Sequence, residues 1–217
     1  MAEAALDNDV LIKLAAYRLL ADGLEALGGA NDVGVLGAAK FVVPSAIARS
    51  GDRIVDKEGA IAAWHAVVNI VEDLEPTEEE VAIAALIERH ASRRGLSLDT
   101  GESQLFAMTI ERQIKRVVTG DKRAITAADN LRADVDLIEQ LDGRVVCLEQ
   151  VVERLVELLG SQYVRGAICQ ERGADRSLTI SMSCGVAAGG APFSLDGLHS
   201  YIADIRKNAE SLLGAFS

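Results

Sequence analysis

Four acidic residues lie where one element of the chain gives way to the next: Asp7, Asp99, Glu102 and Asp121. Asp7 follows the apolar start Ala4-Ala5-Leu6, and Asp121 follows Arg116-Val117-Val118-Thr119-Gly120. Asp99 follows Leu96-Ser97-Leu98, with Glu102 three residues on in what reads as a first helical turn, so the two can share one face. In an open parallel sheet, ligands bind beyond the carboxyl ends of the strands, and all four acids would converge there. Packed carboxylates raise one another's pKa unless a cation sits among them. Their hard oxygens suit Mg²⁺ or Mn²⁺. Such an ion activates water and holds a phosphate oxygen, which is the chemistry of phosphodiester hydrolysis. The competing explanation is plain: Asp and Glu are ordinary N-caps and first-turn residues, and any one of these acids alone is more often a cap than a ligand.

The elements that would position them alternate. Apolar spacing from Val10 to Leu27 predicts a helix ended by Gly28-Gly29. Ala39-Lys40-Phe41-Val42-Val43 reads as a buried strand stopped by Pro44. Arg49 to Glu58 reads as a loop and Ala60 to Val71 as a helix. Pro76-Thr77-Glu78-Glu79-Glu80 starts a helix running to about Arg94. Leu96–Asp99 reads as a short strand, followed by a helix from Thr100 to about Lys115. Arg116–Thr119 and Arg144–Leu148 read as strands, each followed by a helix. The alternation predicts an α/β fold with a Rossmann-like parallel sheet flanked by helices. Past Gly160 the texture changes to short apolar pieces broken by glycine. Residues 1–160 are therefore expected to form the α/β domain and 161–217 a helical extension packed on it. Asp175 to Cys184 fits either a helix capped by Asp175 or a strand, Ala187-Ala188-Gly189-Gly190 a linker, and Ser194 an N-cap for a last helix.

The totals bound the function. The chain has 217 residues, 49% hydrophobic and 25% charged, an ordinary globular mix. Its formal charge of −11 gives it no general attraction for polyanions. Aromatic residues make up 4%, so few rings are free to stack on bases. Cys147, Cys169 and Cys184 are odd in number and widely spaced, which argues against a disulfide framework or a zinc site. His65, His90 and His199 have no second ligand at metal spacing. No basic leader and no run of about 18 apolar residues is visible, so a cytoplasmic protein without a membrane span is expected.

Three segments together resemble the PIN-domain nucleases: Leu6-Asp7-Asn8-Asp9-Val10-Leu11, Leu98-Asp99-Thr100-Gly101-Glu102-Ser103 and Val118-Thr119-Gly120-Asp121-Lys122. In that family a first Asp follows strand one, a D-x-G-E-type segment opens a later helix, and a T-x-D segment closes the next strand. The resemblance covers roughly residues 4–150. It implies Mg²⁺ or Mn²⁺ held by Asp7, Asp99, Glu102 and Asp121, with Asp9 and Thr119 as auxiliary residues, and cleavage of RNA by metal-activated water. One departure stands out. The family carries a Glu shortly after the proline that ends strand two, whereas Pro44 is followed by Ser45-Ala46-Ile47-Ala48-Arg49, and Asp52, Asp56 and Glu58 come several residues late. An altered site would make the chain a catalytically inactive PIN-like binding module. Asp7-Asn8-Asp9-Val10-Leu11 also loosely matches the haloacid dehalogenase-type phosphatases, whose late G-D-x-x-x-D is missing after Gly120-Asp121. Arg112, Lys115, Arg116, Lys122 and Arg123 lie near the acids in sequence and either grip phosphates or pair with acids on a solvated face, the second being favoured. A protein partner or inhibitor and a homo-oligomer are compatible with this reading.

Overall fold

Short runs of small apolar residues form the centre of the molecule, and amphipathic helices cover them. The computed structural model describes residues 1–185 and 195–216. Along the chain come β1 (Ala4–Leu6), α1 (Asn8–Ala16), α2 (Leu20–Ala26), β2 (Val33–Leu36), α3 (Ala39–Ala48), α4 (Lys57–His65), β3 (Glu72–Leu74) and α5 (Glu78–Arg94). Then follow α6 (Thr100–Glu111), β4 (Arg116–Thr119), α7 (Lys122–Leu131), β5 (Val145–Cys147), α8 (Leu148–Leu159), α9 (Ser161–Gln170), α10 (Arg176–Ser181) and α11 (Asp196–Asn208). All strand pairs are parallel, in the order β3-β2-β1-β4-β5. The expected Rossmann-like α/β architecture is therefore present. Strand order reverses at β1: β2 and β3 build outward on one side, β4 and β5 on the other. Leu6 lies opposite both Val35 and Val118, so a crevice opens beyond the ends of β1 and β4.

Three expectations need correction. Ala39–Val43 is the start of a helix, not a strand. Ala39, Val43 and Ile47 are buried at helical spacing, while Phe41 stays 78% exposed. Pro44 sits inside that helix, without an N–H for the Lys40 carbonyl. The second strand is instead Val33-Gly34-Val35-Leu36, fully buried between turn residues. Leu96–Leu98 is also no strand; Leu96 and Leu98 pack against the core from the loop between α5 and α6. The third strand, Glu72-Asp73-Leu74, lies on the edge, where charge discourages pairing with other chains. The expected single helix from Val10 to Leu27 is two helices, broken where Arg18 takes φ 61°.

Beyond Gly160, α9 and α11 pack on α8, and α11 also packs on α7. The chain then returns to the sheet: Leu213 bridges to Val145, and the Gly214 carbonyl accepts from Gln150 at 2.8 Å. Ser194 and the 187–190 segment fall outside the described residues. Asp175 caps α10, accepting from the Leu178 N–H at 2.9 Å, which settles that piece as a helix.

The cysteines correct the reading of the composition. Cys169 and Cys184 form a disulfide across a separation of 15 residues, and Cys147 is free and buried. Cys169 ends α9 and Cys184 follows α10, so the bond ties together two short helices with little core of their own. A loop of this length is worth about 3 kcal/mol by the chain-entropy account. Cys169→Ser should therefore lower the unfolding free energy by about 3 kcal/mol in denaturant melts, and a dithiol should lower wild type to the same value. Equal stability of wild type and variant under oxidising conditions would show that the bond does not constrain the unfolded chain.

Candidate active site at the carboxyl edge of the sheet

Three helices start at the crevice, and an acid stands at the head of each. Asp7 is at the N-cap of α1, Asp99 of α6 and Asp121 of α7. Asp99 and Glu102 form a capping box. Asp99 Oδ1 accepts from the Glu102 N–H at 2.9 Å, and Glu102 Oε2 accepts from the Asp99 N–H at 2.9 Å. Asp121 Oδ1 accepts from the Arg123 N–H at 2.8 Å. For these residues the capping explanation holds in part. It accounts least well for Asp7, which is only 9% exposed: the Asn8 and Asp9 amides face its carboxyl without a well-formed capping bond, and they lower its pKa less than burial and the neighbouring acids raise it. Among the described residues it has no ion-pair partner either. A buried carboxylate in that condition is costly.

One cavity of about 570 Å³ collects the set. It is lined by Asp7, Asn8, Asp9, Ile12, Lys13 and Val42, and by Asp99, Gly101, Glu102, Gly120, Asp121 and Arg123. All four expected site acids and Asp9 are thus brought together. Thr119 is buried just behind, and its Oγ1 accepts from the Asp121 N–H at 3.1 Å, which fixes the turn that carries Asp121. A Cβ at Gly120 would fall 2.3 Å from Asp9 Oδ2, so a side chain there would displace the Asp9 carboxylate.

The electrostatics follow from crowding. Burial, then the charges of Asp9 and Asp99, push Asp7 up to about 7. Burial does most to raise Glu102 to about 8; the Asp99 amide opposes it, and Asp99, Asp121 and Asp7 add to it. Asp121 goes the other way: burial would raise it, but Arg123 outweighs this and holds it low. Lys13 is 2.6 Å from both Asp9 and Asp175. Burial would lower its pKa, and these two carboxylates reverse that and keep it protonated.

Lys13 and Asp175 were not foreseen. The Asp9–Lys13 spacing of four on a helix was a readable signal; the contact with Asp175 joins distant parts of the chain and was not. Around Asp175, Glu171 accepts from the Val55 and Asp56 N–H groups at 2.6 and 2.8 Å. Gly173 lies so close to the Arg53 backbone that a Cβ would meet its carbonyl oxygen at 2.6 Å. On α3 the cavity wall is Val42, and none of Asp52, Asp56 and Glu58 lines it. Asp56 caps α4 and pairs with Arg18 at 2.6 Å. The basic residues mostly pair as favoured: Arg112 with Glu80, Lys115 with Glu3, Lys122 with Glu149 and Arg123 with Asp121. Arg116 stacks over Phe216 at 5.4 Å.

The donor set fits a hard divalent cation in chemistry: several carboxylates, two of them pushed up to about 7 and about 8, chiefly by burial and further by neighbouring acids. As they stand, no three acid, His or Cys side chains among the described residues are grouped to hold a metal ion. Holding one asks Asp121 to leave Arg123. Comparison with family models, with curated proteins and with solved structures gave no match. No helix among the described residues is long and apolar enough to cross a membrane.

The raised acids make stability depend on pH. A carboxyl whose folded pKa is raised keeps a proton that the unfolded chain gives up, so stability falls as pH rises between the two values. In chelator, the melting temperature should fall as pH rises from about 4.5 towards about 8, and Asp7→Asn should flatten that fall. A melting temperature independent of pH across this window would contradict the clustering.

Proposed function

We propose that the chain is a metal-dependent ribonuclease of the PIN type, hydrolysing RNA phosphodiester bonds with Mg²⁺ or Mn²⁺. The observation that carries the reading is Asp7: buried among other acids at the point where strand order reverses, with no ion-pair partner among the described residues and its carboxyl raised despite the Asn8 and Asp9 amides. A place at the head of α1 does not by itself account for burial among like charges. Asp7, Asp99, Glu102 and Asp121 would hold the cation, which when bound supplies activated water and charge neutralisation at the phosphate. Asp9, tied to Lys13, stands beside them and closes the wall of the cavity towards α3.

An elongated substrate suits the surroundings. The cavity is continued on one side by a smaller one that shares Asp9, Ile12 and Lys13 with it and ends at Ser50, Arg53 and Ala174. Another cavity, of about 330 Å³, shares Arg123 with it. A polymer has use for such a run, whereas a small phosphomonoester does not. The phosphatase reading also needs a free Asp9, and Lys13 holds it. In this reading the protein is cytoplasmic, where thiols are mostly kept reduced, and the Cys169–Cys184 pair would close on oxidation.

One observation favours a second reading, an inactive PIN-like module that binds a protein partner: α3, which carries Pro44, contributes only Val42 and no acid to the cavity. RNA cleavage separates the two. With Mn²⁺ the wild type should cleave single-stranded RNA, and chelator should abolish cleavage. Asp7→Asn should reduce kcat by about 100-fold or more while keeping the fold. A chain that binds Mn²⁺ yet leaves every RNA intact would favour the module.

A further inference from the structure

Arg123 sits in the wrong place for a helix. The first turn of α7 carries Lys122 and Arg123 and no acid, although the positive end of the helix dipole disfavours cations there. Lys122 has a structural reason: it pairs with buried Glu149 at 2.7 Å and lies 4.2 Å over the Tyr201 ring. Arg123 has no such anchor. Its side chain is 75% exposed, and among the described residues its guanidinium bonds to Asp121 alone, Nε on Oδ1 at 3.2 Å and Nη2 on Oδ2 at 2.8 Å. Both carboxylate oxygens that a cation would need are thereby occupied.

Arg123 also lines two cavities. One is the acid-lined cavity; the other is bounded by Gly95, Leu96, Ser97, Lys122, Thr126 and Ala127, with no acid in its wall. We propose that Arg123 is the displaceable counter-ion of Asp121 and, once displaced, the arm that holds a phosphate oxygen of the substrate in this second cavity. The inference rests on the metal-dependent reading and adds the residue that couples cation binding to substrate binding. An exposed ion pair is weak, so a divalent cation breaks it at small cost. Positive charge beside Asp121 then repels the guanidinium. In the acid-free cavity its fork of N–H donors matches phosphate oxygens, with the Ser97 and Thr126 hydroxyls beside it.

The test combines two measurements that a merely structural role would not move in opposite directions. Arg123→Gln removes the competing charge, so titration calorimetry should show Mn²⁺ binding about fivefold tighter than in wild type. Binding of a short 2′-O-methyl RNA in Mn²⁺, followed by fluorescence anisotropy, should weaken by at least about fivefold, with a shallower dependence on salt. Arg123→Lys keeps the charge without the fork and should fall between the two in both measurements. If wild type and Arg123→Gln bind Mn²⁺ equally, the counter-ion role is overturned while the metal site stands. If Mn²⁺ tightens but RNA binding is unchanged, the phosphate arm is overturned. If neither protein binds Mn²⁺, the metal-dependent reading itself falls, and this inference with it.

Discussion

Carboxylates packed out of water at one edge of a sheet repel one another, and much of the molecule is arranged around that repulsion. Asp7, Asp99, Glu102 and Asp121 are brought together by topology: β1 and β4 are neighbours, and the helices that follow or precede them begin at the same crevice. The helix N-termini lessen the cost, since each presents N–H groups and a partial positive charge to an acid. They do not remove it, because Asp7 and Glu102 remain raised into the neutral range. The protein holds this unfavourable charge in a site otherwise built on well-formed caps and buried strands. Unfavourable charge of that kind, kept at one place in a consistent fold, is the pattern from which the proposed binding site is inferred.

The periphery of the site is neutralised, and its centre is not. Lys13 compensates Asp9 with help from Asp175, and Arg123 compensates Asp121. The segment that supplies Asp175 is tied by the Cys169–Cys184 bond and pinned through Glu171 to the Val55–Asp56 backbone. Residues past 160 therefore reach the site indirectly, by holding Lys13, which lines it. What stays uncompensated is Asp7, between the two neutralised flanks. Under the proposed function, a small, hard cation would answer that deficit through its charge and its preference for oxygen.

Much of this was legible in the sequence, for physical reasons. An acid between an apolar run and a helical pattern is visible without a structure, and Asp7, Asp99, Glu102 and Asp121 were found that way. Alternation of elements was enough for the parallel sheet. Val33–Leu36 was missed because Gly34 and the flanking Asn31, Asp32 and Gly37 read as turn residues, and Glu72–Leu74 because an edge strand need not be apolar. Phe41-Val42-Val43 misled because an apolar triplet looks buried, while the helix turns Phe41 to solvent. The Lys13–Asp175 contact and the disulfide join segments that no local pattern relates.

The central claim is the proposal that the acid cluster binds a divalent cation. The most direct test is calorimetric titration of Mn²⁺ at neutral pH in two buffers of different ionisation enthalpy. With Asp7 near 7 and Glu102 near 8, binding must expel protons. The account predicts a saturable heat whose size depends on the buffer, corresponding to about one proton released, and a smaller release in Asp7→Asn. No binding, or binding with the same heat in both buffers, would contradict it.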